Sequence, residues 1–324
     1  MAAYTIAKAL NEGMRRAMED DPKVLVMGED VGKLGGVFRV TDGLQKDFGE
    51  DRVIDTPLAE SGIVGTAIGL AMRGYRPVCE IQFDGFVYPA FDQIVSQLAK
   101  VHYRSKGRVR LPVTIRIPFG GGIGAVEHHS ESPEAYFVHT AGLKVVACSN
   151  AVDAFHMLRQ SIASDDPVIF LEPKRRYWEK ADLDLEMTPD PLHVARVIRG
   201  GTDVTVAAYG PMVKVAMDAA TAAEEDGRQL EVVDLRTLSP LDIETVVASV
   251  RRNGRLVVVH EAPTTLGVGA ELAARVTEEA FYSLEAPVLR VGGFDTPYPP
   301  SRLEEDFLPD LDRVLDAVDR SLDF

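Results

Sequence analysis

Cysteine and long apolar runs are both scarce in this sequence. Only Cys79 and Cys148 occur among its 324 residues, so there is no disulfide framework and no CxxC pair with the spacing of a zinc site. We interpret both cysteines, which lie within apolar runs, as core residues. No apolar run approaches the ~20 residues that a membrane-spanning helix needs. The composition therefore predicts a cytoplasmic protein without a membrane partner.

Positively charged residues are also fewer than negatively charged ones. The chain has 35 Lys and Arg against 50 Asp and Glu, which gives a formal net charge of −15 at pH 7 and a pI near 4.9. A surface that binds nucleic acid or an anionic membrane needs clustered Lys and Arg to replace counterions. We therefore expect no nucleic-acid partner, whereas a basic protein partner is compatible with the charge.

What the sequence does contain is an alternation of short β-branched runs and longer helical patterns. In the first half the strand-like runs are residues 24–27, 53–55, 77–82, 112–117, 144–148 and 168–172, and the helix candidates are 60–72, 88–101 and 151–163. At the N-terminus Ile6, Leu10, Met14 and Met18 recur about one turn apart, as in an amphipathic helix. Continuous apolar strands separated by helices predict a mainly parallel sheet that is covered on both faces.

The alternation stops in a charged, proline-bearing stretch and then begins again. The later strand-like runs are residues 203–209, 230–237, 255–261 and 287–293, with helix candidates at 211–226, 242–251 and 268–281. A chain of this length fits two domains of about 150 residues. We predict an α/β protein with two doubly wound domains, at 1–180 and 201–324, joined by a linker at 181–200.

Polar residues follow several of the predicted strands. Glu29 follows the first run, Glu60 the second and Gln82 the third, and a Gly-rich loop with His128 and His129 follows the fourth. Open parallel sheets bind ligands beyond the carboxyl ends of their strands. These residues are therefore the first candidates for a functional site.

Glu60 stands at the beginning of the predicted helix 60–72 and allows two interpretations. A carboxylate in the first turn complements the helix dipole, whereas a buried carboxyl at a strand end is how an acid with a raised pKa arises. Small residues at Gly62, Gly65 and Gly69 would let another backbone approach this helix closely. The residues alone leave both interpretations open.

The Gly-rich loop also allows several interpretations. Adjacent residues in an extended segment point in opposite directions, and no third ligand is near, so His128 and His129 do not predict a metal site. Histidine on such a loop suits proton transfer or anion binding; a solvated pair is the alternative. The run GGGIG at 120–124 does not match GxGxxG and precedes a polar segment, which disfavours a nucleotide site.

Five segments in order along the chain carry a resemblance to a known family. They are MGEDVGKLGGVFRVT, RVIDTPLAESGIVGTAIGLAMRGYRPVCEIQF, FVYPAFDQIVSQLAK, HHSESPEAYFVHTAGLKVV and FDTPYP. Together they resemble the β subunit of the thiamine-diphosphate-dependent first component of 2-oxo acid dehydrogenase complexes. The resemblance implies a transketolase-like pyrimidine-binding domain followed by a transketolase C-terminal-like domain. The fourth segment is most similar to branched-chain enzymes, which implies a 3-methyl-2-oxobutanoate dehydrogenase, with pyruvate and acetoin enzymes as alternatives.

The resemblance also implies roles for particular residues. Glu60 would donate a hydrogen bond to the pyrimidine N1′ of thiamine diphosphate and so favour the imino tautomer that deprotonates the thiazolium. His129 would position the substrate carboxylate or donate a proton during acyl transfer to a lipoyl group. The remaining implied residues are Glu29, Leu58, Gln82 and Phe86 for the cofactor, and Phe83, Tyr88 and His128 for the substrate. Phe86 stands where branched-chain enzymes often have tyrosine, so this position lacks a hydroxyl.

One motif of thiamine enzymes is missing, namely GDG followed by an Asn motif, which holds magnesium and diphosphate. The resemblance therefore implies an α subunit that supplies this half of the site and its Mg²⁺, in an α2β2 heterotetramer. It also implies a lipoyl-bearing acyltransferase partner and a 2-oxo acid substrate. No metal ligand is assigned to this chain; a structural K⁺ stays open, because Ser164 and Asp166 depart from the usual Asp and Asn. The alternative of another class is an assembly subunit that docks the acyltransferase core without turnover of its own.

Overall fold

The chain divides into two compact units. The structure, a computed structural model, describes residues 2–324, so the first residue of the predicted domain 1–180 lies outside it. The second unit comprises Gly120–Ala135 and His193–Phe324, and the rest of the described chain forms the first. The Gly-rich segment therefore belongs to the second unit, although the predicted boundary places it in the first domain. The predicted linker 181–200 is divided between the two units.

A parallel sheet forms the centre of the first unit. The strands of this unit in chain order are β1 (Ala2–Thr5), β2 (Val24–Gly28), β3 (Val53–Asp55), β4 (Arg76–Glu80), β5 (Thr114–Phe119), β6 (Lys144–Ala147), β7 (Val168–Pro173) and β8 (Lys180–Leu183). Strands β2 to β7 are parallel in the order β6-β7-β5-β4-β2-β3, whereas β1 pairs antiparallel with β8. The carboxyl ends of the parallel strands meet at one edge, as the predicted site requires.

Helices cover both faces of this sheet. In chain order they are α1 (Ile6–Asp20), α2 (Leu44–Phe48), α3 (Glu60–Met72), α4 (Val101–Arg104), α5 (Glu134–Val138) and α6 (Ala151–Ala163). The Thr5 side chain caps α1 by accepting a hydrogen bond from the Lys8 amide. The predicted apolar stripe of α1 is confirmed, since its residues are buried in one cluster with α6. Val24 and Val26 point into that cluster, and the intervening Leu25 is buried on the other face.

The α-helix predicted over 88–101 is wrong. Asp84–Ala90 forms a 3-10 helix, and Gln93–Leu98 forms a π-helical segment ahead of α4. Pro89 lies inside the first of these. Proline is tolerated in an α-helix only in the first turn, so the helix that begins at Asp84 does not continue through Pro89 as a regular α-helix.

The second unit contains another layered sheet. The strands of this unit in chain order are β9 (Arg196–Arg199), β10 (Val204–Ala208), β11 (Leu230–Asp234), β12 (Thr237–Ser239), β13 (Leu256–Pro263) and β14 (Leu289–Gly293). Its helices are α7 (Met212–Glu225), α8 (Ile243–Asn253), α9 (Val268–Ala280), α10 (Glu304–Phe307) and α11 (Leu311–Leu322). All of these strands except β12 form the sheet. The sheet order is β14-β13-β10-β11-β9, parallel except for β9. Val204 and Val206 pack in one cluster with α7 and α11, whereas Thr205 hydrogen-bonds Ser249 of α8 at 2.6 Å. Both faces are therefore covered, and the predicted α/β class is confirmed.

The structure tests the predictions that the cysteines are core residues and that no helix spans a membrane. Cys79 and Cys148 are both buried, which confirms their interpretation as core residues. Burial raises the pKa of the Cys79 thiol to about 12, so this side chain stays a thiol at neutral pH. Among residues 2–324, no helix has both the length and the apolar composition needed to cross a membrane.

Candidate functional site

Two buried carboxyl groups lie at the carboxyl-end edge of the first unit's sheet. Glu29 directly follows β2, and Glu60 is the first residue of α3, which follows β3. Because β2 and β3 are parallel neighbours, their ends bring both residues to the same edge. Glu29 is 8% exposed and Glu60 is 7% exposed. Neither forms an ion pair with any residue that the structure describes.

The pKa of Glu29 departs from its ordinary value. Its pKa is raised, first by burial and then by the negative charges of Glu60 and Asp30, while a hydrogen bond from the Ala59 amide opposes the shift. One of its carboxylate oxygens is buried without a hydrogen-bond partner in residues 2–324. Buried polar atoms normally have partners. This oxygen is therefore where a group from outside the chain would fit.

The position of Glu60 at the start of α3 fits the helix-dipole interpretation, but that interpretation does not explain why Glu60 is buried. Glu60 lies in the first turn of α3, where the dipole favours negative charge. An exposed carboxylate would serve that purpose without the cost of desolvation. The helix dipole alone therefore does not explain the burial of Glu60 beside Glu29, which is compatible with a carboxyl group that faces a ligand.

The face of α3 carrying Gly62, Gly65 and Gly69 is open. A Cβ atom added at Gly65 or Gly69 would meet no atom within 4 Å, and one at Gly62 would meet only the Ala59 side chain at 3.6 Å. Packing inside the described chain therefore does not require glycine here. The small residues leave room for the close approach of another backbone.

Gln82 and the aromatic residues after β4 form a second part of the site. The Gln82 amide donates a hydrogen bond to the Asp30 carboxylate at 3.2 Å. Phe83 and Phe86 meet edge to face with ring centroids 6.0 Å apart, and Phe38 packs on Phe83 at 5.3 Å. The structure thus joins predicted residues from two strand ends into one group with a polar side and an aromatic side.

A buried ion pair anchors this aromatic segment. Lys174 binds the Asp84 carboxylate at the beginning of the 3-10 helix, and both side chains are 0% exposed. The Lys174 ammonium also lies 5.9 Å from the centre of the Phe83 ring. Sequence reasoning missed this pair because its members are 90 positions apart along the chain.

Leu58 and Tyr88 lie apart from the buried group. Leu58 is 82% exposed, so its side chain is open to a ligand or a partner. Tyr88 is half-exposed and packs edge to face on Tyr136, with centroids 6.1 Å apart. The structure therefore brings Glu29, Glu60, Gln82, Phe83 and Phe86 to one edge of the sheet and leaves these two at its outer surface.

Sequence reasoning also missed a buried charge cluster within the sheet. Arg116 of β5 donates hydrogen bonds to Glu172 of β7 at 2.6 and 2.9 Å and to Glu80 of β4 at 2.6 Å. The Tyr177 hydroxyl donates to Glu172 at 2.6 Å. Burial raises the pKa of Glu80, and the Arg116 guanidinium opposes that shift only in part. Charged residues inside otherwise apolar strand runs were the signal that could have revealed this cluster.

The backbone amides of the Gly-rich run point at carboxylates of the second unit. Gly121 donates to Glu261 at 2.9 Å, and Gly122 and Gly124 donate to the two oxygens of Glu304 at 2.8 and 2.9 Å. A phosphate would need these same donors, and the two carboxylates would repel it. This geometry supports the prediction that GGGIG is not a nucleotide site.

The two histidines are not in the extended geometry expected of them. His128 and His129 lie in a 3-10 turn over Glu127–His129, and their rings are 4.4 Å apart. The prediction that they point in opposite directions is therefore wrong. His128 is exposed and His129 is partly buried. Searched over residues 2–324, no group of three or more His, Cys, Asp and Glu side chains could hold a metal ion.

Comparisons with known proteins cover nearly the whole chain. The family model "Transketolase, pyrimidine binding domain" matches residues 2–179, and "Transketolase, C-terminal domain" matches residues 193–314. A pyruvate dehydrogenase E1 component subunit beta of Leifsonia xyli subsp. xyli is 64% identical, over 98% of this chain and 94% of the relative. A 3-methyl-2-oxobutanoate dehydrogenase subunit beta of Mycobacterium tuberculosis is 58% identical, over 99% and 92%.

One solved structure supports the fold alone. A split gene transketolase, described as an inactive beta4 tetramer, superposes with a TM-score of 0.82 over 99% of both chains. Its sequence is 23% identical to this chain. Two α/β domains of the transketolase type therefore account for the whole architecture.

Proposed function

The chain belongs to the family of β subunits of thiamine-diphosphate-dependent 2-oxo acid dehydrogenases, and from this premise we propose that it carries one half of a cofactor site that an α subunit completes. The observation that carries this proposal is the Glu29 and Glu60 pair, which is buried at a strand-end edge and forms no ion pair with any cation among residues 2–324. A structural carboxylate pair would have a partner, whereas a pair that binds a ligand leaves its oxygens available.

Glu60 is the residue that we assign to the activation of the cofactor. Thiamine diphosphate, when bound, supplies the electron sink that lets a 2-oxo acid lose carbon dioxide. With that cofactor bound, the Glu60 carboxyl group would donate a hydrogen bond to a pyrimidine ring nitrogen. Glu29 supports this role, because its raised pKa keeps a proton within the pair at a higher pH than an isolated glutamate would.

The surrounding residues bind and orient the ring. Phe86 offers an apolar wall to the ring, and Gln82 is held by Asp30 with its amide at the same edge. Phe83, which meets Phe86 edge to face, we assign to the substrate side. The exposed Leu58 offers a second apolar contact. Tyr88 we place at the outer rim, where it would meet the substrate.

His129 is assigned to the acyl-transfer half of the reaction. An imidazole can position a substrate carboxylate or donate a proton at a lipoyl sulfur. His129 is partly buried and lies against the exposed His128 ring. We propose His129 as the acting group and His128 as a lining residue.

Two protein partners complete the proposal. The α subunit supplies the magnesium and diphosphate half that this sequence lacks, in an α2β2 assembly. The open glycine face of α3 supports a close contact with another chain. A lipoyl-bearing acyltransferase component accepts the acyl group.

We propose a branched-chain 2-oxo acid as the substrate, with pyruvate as the main alternative. The segment HHSESPEAYFVHTAGLKVV favours a branched-chain 2-oxo acid, whereas the 64% identical relative bears the name of a pyruvate enzyme. The test is decarboxylation by the reconstituted α and β subunits with 3-methyl-2-oxobutanoate and with pyruvate. We expect at least a tenfold higher kcat/KM for 3-methyl-2-oxobutanoate. A preference for pyruvate would reassign the substrate. Turnover of neither 2-oxo acid, nor of acetoin, would favour the assembly subunit.

A further inference from the structure

The segment 120–135 is attached to the second unit at both ends. At its beginning the Gly-rich amides bind the carboxylates of Glu261 and Glu304. Near its end Glu134 is fully buried and accepts a hydrogen bond from the Tyr209 hydroxyl at 2.6 Å. His128 and His129 lie between these two attachments. Their placement therefore depends on contacts that neither histidine makes itself.

Glu304 is the centre of the first attachment. Its two oxygens accept the Gly122 and Gly124 amides, and the Tyr298 hydroxyl donates to one of them at 2.6 Å. Glu304 is 7% exposed. A Cβ atom at Gly121 would lie 1.9 Å from the Tyr298 hydroxyl oxygen, so only glycine fits at that position. Three donors thus converge on one buried carboxylate.

This arrangement fixes the shape of the loop. Gly122 and Gly124 both have left-handed backbones, with φ of +84° and +71°. Glycine adopts this conformation readily but also adopts many others, so fixing it costs conformational entropy. A single carboxylate that binds both amides ties the two positions together. Hydrogen bonds to an ionised acceptor are about twice as strong as neutral ones. Loss of Glu304 would therefore release both glycine amides at once.

We propose that Glu304 is a positioning residue, which sets the conformation of the segment that carries His128 and His129 and so controls acyl transfer without contacting the substrate. The functional half of this inference rests on the proposed function, in which His129 acts in acyl transfer. The structural half does not, because it concerns only the conformation of residues 120–126.

The structural half is tested by hydrogen–deuterium exchange on the full-length chain. In Glu304→Ala we expect the amides of residues 121–126 to exchange at least tenfold faster. Glu305→Ala is the matched control, since Glu305 is the exposed neighbour on the same short helix, and it should leave exchange unchanged. Unaltered exchange in Glu304→Ala would overturn the proposal, as would equal acceleration in β10 and β13, which would indicate a general loss of stability.

Two milder variants guard against a failure of Glu304→Ala to fold. Glu304→Gln keeps one accepting oxygen, and Tyr298→Phe removes one donor to Glu304. Each should accelerate exchange of residues 121–126 by a smaller factor, about threefold to tenfold. Wild-type exchange in both variants would count against the proposal.

The functional half is tested in the reconstituted enzyme by acylation of a lipoyl domain. We expect kcat to fall at least tenfold in Glu304→Ala with little change in KM for the lipoyl domain, and to recover in part in Glu304→Gln. Faster loop exchange together with normal acylation would overturn the claim that Glu304 controls acyl transfer through the loop. Normal acylation in His129→Ala would instead contradict the proposed function and leave the exchange result standing.

Discussion

The first unit contains two groups of buried carboxylates that differ in their partners. Glu80 and Glu172 share the guanidinium of Arg116, and Tyr177 adds a further donor. Glu29 and Glu60 are nearly as buried, yet no cation in residues 2–324 pairs with them. Burial raises the pKa of Glu29 and of Glu80, but only for Glu80 does a buried cation oppose the shift.

The presence or absence of a paired cation distinguishes carboxylates that stabilise the fold from carboxylates that are available to a ligand. Residues that hold a fold together are satisfied by the fold itself, as the Arg116 cluster is by three neighbouring strands. Carboxyl groups that stay unpaired after folding cost free energy, and such a cost persists at sites where a ligand removes it. The comparison therefore predicts that the first group determines stability and the second determines activity.

The largest effect on stability should come from removing the shared cation. Arg116→Met leaves two buried carboxylates without their partner, and we expect the free energy of unfolding to fall by about 3–5 kcal/mol. Urea denaturation followed by circular dichroism measures this change. Arg104→Met, at an exposed arginine of α4, is the control and should change stability by less than about 0.5 kcal/mol. A loss below about 1 kcal/mol in Arg116→Met would contradict the claim that the Arg116 group determines stability.

The opposite result is expected at Glu60. Glu60→Gln keeps the size of the side chain but removes its acid, so decarboxylation by the reconstituted enzyme should fall at least about 100-fold. Stability should change by less than about 1 kcal/mol, because no ion pair is broken. Glu50→Gln, at an exposed glutamate, controls for the loss of one negative charge. Normal turnover in Glu60→Gln would remove the catalytic assignment.

The sequence predicted one of these groups and not the other for a physical reason. Glu29 and Glu60 stand at strand ends, and parallel topology brings strand ends together whatever the details of packing. Arg116 meets Glu80 and Glu172 across 36 and 56 positions of the chain, and only the register of three strands places them in contact. The same limit hid the contact of Glu304 with Gly122, which are 182 positions apart.

Local irregularity set a second limit on prediction. The apolar pattern over 88–101 predicted one α-helix, but the chain forms a 3-10 helix over Asp84–Ala90 and a π-helical segment over Gln93–Leu98. The turn that brings the rings of His128 and His129 together gave no periodic signal. Patterns of hydrophobicity therefore located β2 to β7 and helices α1, α3 and α6 of the first unit, whereas the conformations that carry Phe86 and the histidines needed the structure.

The smallest predicted effect sharpens the comparison at Glu29. Because the folded-state pKa of Glu29 is raised, its carboxyl group favours folding below the ordinary pKa of about 4.5, and this contribution is lost as pH rises through the folded value. Glu29→Gln removes that loss, so at pH 7 the variant should be more stable than the parent chain by up to about 1 kcal/mol, and the two should converge near pH 4. Urea denaturation of both chains from pH 4 to 8 measures the difference. A parent chain that is more stable than Glu29→Gln at pH 7 would mean that Glu29 is held by a favourable partner after all, and the two carboxylate groups would then not differ in kind.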